Sequence, residues 1–333
     1  MVTKESFRSS VATELRNYIS HKQALGYCFE TQSMILLYLD RILCKSGKPS
    51  SDLTAEMFRQ WCQSMESSCC TTKLKRMRIV WNFCLYRRRR NSNCFVPDPN
   101  QFPKLSQAVQ PYIFSDLEIS KLLTYSNSIP VSARSPLRAS ATRLAVILLY
   151  AIGLRRGELL RLTMVDYHPS EQTLTVQPSK FHKMRILPLP DDVASEVETF
   201  LEKSKSVYPR LCENSPLIFS PYCGGRACST AQLRRNLHML FNLASIRKSD
   251  GRLPRIHDFR FAFAVNAILR WYRNGVNVQA KLPFLAAYMG HISINSTYYY
   301  LRFVEPLASL ASSAFAAHYG DLIQGVEGGD NET

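Results

Sequence analysis

Long apolar runs are missing from this 333-residue sequence. The longest, Leu144 to Leu154, has 11 residues, against the roughly 20 a helix needs to cross a bilayer. A membrane-spanning helix is thereby excluded. Acidic residues are also short, with 26 Asp and Glu facing 42 Lys and Arg, a formal net charge of +16. Glycine is sparse at 13 residues, and no glycine-rich run has the spacing of a phosphate-binding loop. No carboxylate cluster of the kind that holds two catalytic metals is visible either. The amino-terminal MVTKESFRSS lacks the apolar segment of a secretory signal. A cytoplasmic chain is therefore expected, with its ten cysteines as reduced thiols. Cys223 and Cys228 frame a Gly-Gly turn, but no second Cys or His pair completes a tetrahedral zinc set. No metal and no cofactor are expected.

What is present is enough apolar material for real cores, at 46% hydrophobic residues and 20% charged, which excludes a disordered or fibrous chain. The length suggests two domains. The positive excess points to a polyanionic partner, above all nucleic acid. It is concentrated: 17 Lys and Arg against 8 acids fall in residues 1–110.

Residues 1–95 read as helices. Phe7, Val11, Leu15, Tyr18 and Ile19 recur at helical spacing, Met34 to Leu43 forms a second run, and Thr54 is placed to cap a helix over Ala55 to Met65. A fourth helix, from about Thr72 to Arg88, carries Leu74, Met77, Trp81 and Cys84 on one stripe. Its basic residues, Lys73, Lys75, Arg76, Arg78 and Arg87 to Arg90 (Arg87, Arg88, Arg89, Arg90), are the candidate contacts to a DNA backbone. A charged helix end that only complements the helix dipole is the plainer reading of Arg87 to Arg90. Prolines 97, 99, 103 and 111 then break residues 96–112 into a linker. The pattern Ser115-Asp-Leu-Glu118 opens a helix with a capping box. From there residues 113–320 read as a second, mostly helical domain with one β patch, Gln172–Gln177 and Met184–Leu189 around the turn Pro178–Lys183. A striped helix over Pro306–Tyr319 is expected, and residues 321–333 read as an acidic, flexible tail.

Four patches in the second domain carry the residue types of phosphate chemistry. They are Gly153-Leu-Arg155-Arg-Gly-Glu158-Leu, then Lys180 in the β turn, then His257-Asp-Phe-Arg260, and last Gly290-His291 running to Tyr298-Tyr-Tyr300. Each alone has a bland reading. Arg155 could pair structurally with Glu158, His257 could bond at a helix start, and the tyrosines could be core aromatics. In this order and spacing they resemble the tyrosine recombinase (phage integrase) family. The G-L-R-x-x-E-L motif is matched, Lys180 stands eight residues before Pro188 in a basic strand, H-x-x-R is His257 to Arg260, and Tyr300 follows Gly290-His291 by nine residues.

The resemblance implies a mainly α fold: an N-terminal helical core-binding domain of SAM-like type, then an α-rich catalytic domain with a small antiparallel β-sheet. It implies a site-specific DNA recombinase, acting on double-stranded recombination sites as a tetramer on two duplexes and belonging to a mobile element. The catalytic set is then Arg155, Lys180, His257, Arg260, His291 and Tyr300. A tyrosine hydroxyl, with an ordinary pKa near 10, needs activation. Two guanidinium groups suit the charge that builds on the attacked phosphate, and a lysine can protonate the leaving 5′ oxygen. Phe261 and Ala262 depart from the His and Ser or Thr that often follow the second arginine, which removes a supporting hydrogen bond. Two other readings share the charge pattern: a type IB topoisomerase and a DNA-binding protein without catalysis.

Overall fold

In a computed structural model, residues 7–46, 52–104, 110–177, 184–218 and 227–304 are described. The chain divides into two compact units, Met1–Gln110 and Pro111–Thr333.

Among the described residues the first unit holds four α-helices, α1 (Ala12–Ala24), α2 (Glu30–Ser46), α3 (Ala55–Gln63) and α4 (Cys70–Arg88). Thr54 caps α3, its hydroxyl accepting from the Met57 amide at 3.3 Å. The repeating residues Val11, Leu15, Tyr18 and Ile19 bury against Leu36, Leu39, Trp61, Val80 and Phe83. Beyond α4, the prolines leave one 3-10 turn, Pro99–Gln101, which Asp98 caps by accepting from the Asn100 amide at 2.9 Å. Lys75, Arg78, Arg88, Arg89 and Arg90 are exposed, and Lys73 and Arg76 are half-buried. Arg87 is different. It is only 4% exposed, and its guanidinium donates to Glu14 at 2.8 Å and to Asp52 at 2.5 Å. One turn of α4 separates it from the stripe residues Phe83 and Cys84, so the helix rotates it inward. Arg87 is therefore withdrawn from the candidate DNA contacts: its charge is used inside the unit.

In the second unit α5 (Asp116–Ser126) opens with the capping box, Glu118 accepting from the Ser115 amide at 2.9 Å. The apolar run becomes α6 (Arg138–Ala151), buried along most of its length and packed against α5 and two later helices, α8 (Asp191–Val207) and α10 (Ile256–Arg273). A short α7 (Arg156–Leu159) follows. The sheet has three antiparallel strands in the order β1 (Tyr167–His168), β2 (Thr173–Val176) and β3 (Arg185–Pro188). Val176 pairs with Arg185. The sequence pattern locates β2 and β3 but not β1, because two residues are too few to show alternation. The remaining helices are α9 (Thr230–Leu243), α11 (Val278–Met289) and α12 (Asn295–Leu301).

Helix α10 is buried on two sides. Phe259 and Ala262 join a core with α5, α6, α8, α9 and the sheet, while Phe261, Ala264, Val265 and Ile268 face α11 and α12. Lys180, Lys183 and Cys223 lie outside the described residues, as do the helix expected over Pro306–Tyr319 and the tail.

Replacing Arg87 with Ala is expected to lower the unfolding free energy by about 2 kcal/mol, the scale of hydrogen bonds to charged groups. Arg89→Ala should change it by no more than about 0.5 kcal/mol, as for an exposed site. Urea unfolding of both variants checks the distinction.

Candidate active site

The site begins where α6 stops. Gly153 takes φ +66°, and a Cβ there would meet the Phe263 ring at 2.5 Å, so both backbone and space require glycine. The turn delivers Arg155 to the start of α7. Its amide and its guanidinium donate to the two oxygens of Glu158, at 2.8 and 2.7 Å. Glu158 is 3% exposed. Arg185 of β3 closes on the same carboxylate from the other side, with bonds of 3.0 and 2.8 Å, and its Nε donates to the Tyr288 carbonyl at 2.9 Å.

Gly290 ends α11 with φ +63°. Its carbonyl accepts from Arg155 Nη2 at 2.7 Å, and a Cβ would stand 3.0 Å from Arg185 Nη1. The next residue is His291. Arg260, from the first turns of α10, is 1% exposed and donates to the carbonyls of Gly153 (2.6 Å) and Met289 (2.5 Å). Its Nη2 also lies 3.2 Å from His291 Nε2. A guanidinium only donates, so Nε2 accepts and the proton of a neutral His291 sits on Nδ1. That proton is donated to Thr297 Oγ1 at 2.8 Å. Tyr300, one helical turn further along α12, is 4% exposed. Its ring stacks on His291 (centroids 5.9 Å apart) and meets Phe261 edge-on at 4.9 Å. His257 is exposed, with its ring edge-on to the other side of Phe261 at 5.3 Å.

Two guanidinium groups thus share one carboxylate, and a third, Arg260, lies within range of its charge. Burial by itself would raise the Glu158 pKa, but the hydrogen bonds from Arg185 and then Arg155 hold it at about 2. Burial, and after it the charge of Arg155, bring Arg260 down to about 10, still protonated at neutral pH. Burial and the charges of Arg260, Arg155 and Arg185 hold His291 at about 4, so it is neutral there. Burial raises the Tyr300 hydroxyl above its usual value, and Arg260 and Arg155 oppose that shift without overcoming it. The pocket has surplus positive charge beside a neutral phenol and a neutral imidazole. It is built to receive an anion.

Of the six residues expected from the sequence, Arg155, Arg260, His291 and Tyr300 converge here, and His257 stands at the edge. Tyr298 is exposed at 40%, and Tyr299 packs on Phe303 and Phe261 instead. Two participants escape a reading by motif, Arg185 and Thr297. Arg185 shares the inward face of β3 with buried Leu187; a base two residues before an inward leucine was the available signal. Thr297, wholly buried, had none. At Phe261 an aromatic wedge between His257 and Tyr300 occupies the position where a hydrogen-bonding residue is common.

Two arginines, a histidine and a buried tyrosine thus reach one site from separate elements, an arrangement suited to attack by a phenol on a bound phosphate. The phage integrase family profile matches residues 114–305, and the chain belongs to that family. It is 26% identical over 298 residues to the Sinorhizobium fredii protein y4rB, named as an integrase/recombinase, covering 89% of this chain and 92% of the relative. To the tyrosine recombinase XerA of Pyrococcus furiosus it is 28% identical over 166 residues, 48% of this chain and 49% of the relative. The fold is similar to that of the Tn1549 transposon integrase in complex with transposon right end DNA, with a TM-score of 0.64, 15% identity and coverage of 91% and 98%. It is also similar to the XerH recombinase bound to a palindromic difH substrate, with a TM-score of 0.60, 18% identity and coverage of 92% and 84%.

Gly153→Ala is expected to cost about 3 kcal/mol, from left-handed strain and overpacking against Phe263. A double-mutant cycle with Phe263→Leu should then show coupling of about 1 kcal/mol, since the smaller side chain relieves only the steric part. The His291 shift carries a pH dependence. Its folded pKa lies below 6.5, so the unfolded chain binds more protons between about pH 4 and pH 6.5, and stability falls as pH drops through that window. Between pH 7 and pH 5 His291 should contribute a loss on the order of 1–2 kcal/mol, so His291→Asn should lose less by that amount, while the part from the likewise lowered His257 and His238 remains; urea unfolding at both pH values measures it.

Proposed function

We propose that this protein is a site-specific DNA recombinase that cuts and rejoins DNA through a 3′-phosphotyrosine, with Tyr300 as the nucleophile. The observation that carries this assignment is Arg260. It is a buried guanidinium that bonds two carbonyls and a neutral imidazole and acts on the Tyr300 hydroxyl, and the nearby carboxylate, Glu158, is already bonded to Arg155 and Arg185. A buried charge calls for a counterion, and a DNA phosphodiester supplies it.

In the reaction Tyr300 Oη attacks phosphorus and the bond to the 5′ oxygen breaks. Arg155 and Arg260 hold the non-bridging oxygens, where charge builds. His291 Nε2, an acceptor, exchanges its bond from Arg260 for one from the phenol and takes the phenolic proton as attack proceeds, and His257 closes the exposed side. Lys180 gives a proton to the departing 5′ oxygen. The phosphotyrosine retains the energy of the broken ester, so attack by a 5′ hydroxyl of a second strand completes exchange without an external energy source. Residues 1–95 serve as the core-binding domain and residues 113–320 as the catalytic domain, with 96–112 as linker. Lys73, Lys75, Arg76, Arg78, Arg88, Arg89 and Arg90 contact the DNA backbone. Four protomers on two duplexes carry out exchange. The cell compartment is the cytoplasm, where a mobile element's DNA is reached; among the described residues no helix is long and apolar enough to cross a membrane.

The test is covalent capture. Nicked duplexes of random sequence are incubated with the protein, and protein-linked strands are recovered and sequenced. A common sequence motif joined to Tyr300 is expected; the absence of any adduct overturns the proposal. On the selected duplex Tyr300→Phe should form no adduct while binding within a few-fold of the unmodified protein, and Tyr299→Phe should still form one. Lys180→Ala should fail on ordinary DNA and recover on a duplex with a 5′-bridging sulfur, whose thiolate leaves without a proton.

A further inference from the structure

Arg185 is not among the six residues expected at the site, yet it bonds two groups of the site's framework. Its two terminal nitrogens bind both oxygens of Glu158, and its Nε holds the Tyr288 carbonyl. It thereby ties β3, α7 and the end of α11 together. Glu158 is the residue that orients Arg155, and the corner held through Tyr288 carries Gly290, whose carbonyl is the other anchor of Arg155. Both anchors of Arg155 are therefore set by Arg185. Gly290 lacks a Cβ at the place where one would press on Arg185 Nη1, so the corner is shaped around this guanidinium.

We propose that Arg185 is a positioning residue for the phosphate clamp, acting on Arg155 through Glu158 and the Gly290 corner. This rests on the reading of Arg155 as part of that clamp. Arg185 is itself only slightly exposed, its side chain 12% accessible, and it is committed to protein acceptors. It sets the aim of Arg155 and leaves the phosphate to Arg155 and Arg260. Arg185 also lies on the strand that follows the Lys180 turn, five residues downstream. A role through the lysine is thus a distinct alternative, and the two make opposite predictions.

The experiment measures single-turnover cleavage of the duplex selected by covalent capture, in three forms: ordinary phosphate, 5′-bridging sulfur, and a neutral methylphosphonate at the scissile position. Arg185→Ala, Arg185→Lys and Arg155→Lys are compared with the unmodified protein. On ordinary phosphate Arg185→Ala should be slower by roughly tenfold to 10²-fold, the scale of a misplaced group. The sulfur duplex should not restore it. The methylphosphonate should bring it to within about threefold of the unmodified protein, since a neutral phosphorus centre asks little of the clamp. Arg185→Lys keeps a charge on Glu158 but cannot span both oxygens and the Tyr288 carbonyl, so it should show the same pattern with a smaller defect. This variant decides the matter should Arg185→Ala fail to fold. Rescue of either variant by sulfur overturns the proposal in favour of the lysine route. A defect equal on all three duplexes overturns it in favour of general disruption. Arg155→Lys separates the premise from the inference: it too should recover on methylphosphonate. If Arg155→Lys does not recover, the clamp reading fails; if it recovers and the Arg185 variants do not, only the inference about Arg185 fails.

Discussion

The site depends on one buried carboxylate. Glu158, three residues after Arg155, accepts from that residue's backbone and side chain and from both ends of the Arg185 fork. Burying an acid without partners is unfavourable enough that it would take up a proton instead. With four donors it remains ionised, and it holds two guanidinium groups that would otherwise repel. The balance is incomplete: the carboxylate is bonded to Arg155 and Arg185, and Arg260 adds a third positive charge nearby. The remaining positive charge makes the site receptive to an anion before any DNA arrives, and the low polarity of the surroundings strengthens the attraction.

The second constraint is the packing of α10. Its two apolar sides belong to different cores, so the helix cannot rotate without disturbing both. Arg260 is fixed between them, and the carbonyls of Gly153 and Met289 accept from its two terminal nitrogens. Phe261, the next residue, uses the second core to hold the Tyr300 ring. Where a hydrogen-bonding side chain is common in the family, this protein relies on aromatic contact, with His257, Tyr299, Tyr300 and Phe303 all edge-on to one phenyl ring. Edge-to-face pairs of this kind fix orientation with about 0.5–1.5 kcal/mol each beyond area burial. The Tyr300 ring is thus oriented by shape, as the role of nucleophile proposed for it requires.

The elements legible in the amino-acid sequence share a property: the forces that form them act within a few residues. The Thr54 cap, the Ser115–Glu118 box, the proline breaks and the alternation of β2 and β3 are local, and so are the spacings within each motif patch. The sequence by itself therefore determined the mainly helical architecture and marked Arg155, Arg260, His291 and Tyr300 as residues to bring together. Tertiary structure alone decided the rest. Arg87 looks like its three basic neighbours, and only the positions of Glu14 and Asp52, 73 and 35 residues away in sequence, turn it from a surface charge into an internal one. Arg185 gains its place from a carboxylate 27 residues upstream and a carbonyl 103 residues downstream. Thr297 matters only because the fold sets its hydroxyl where it can accept the Nδ1 proton of the tautomer that Arg260 selects. A charge or a hydroxyl carries no mark of its partner in the one-dimensional chain. Its partner is chosen when burial removes water and leaves the nearest complementary group as the only one that can replace it.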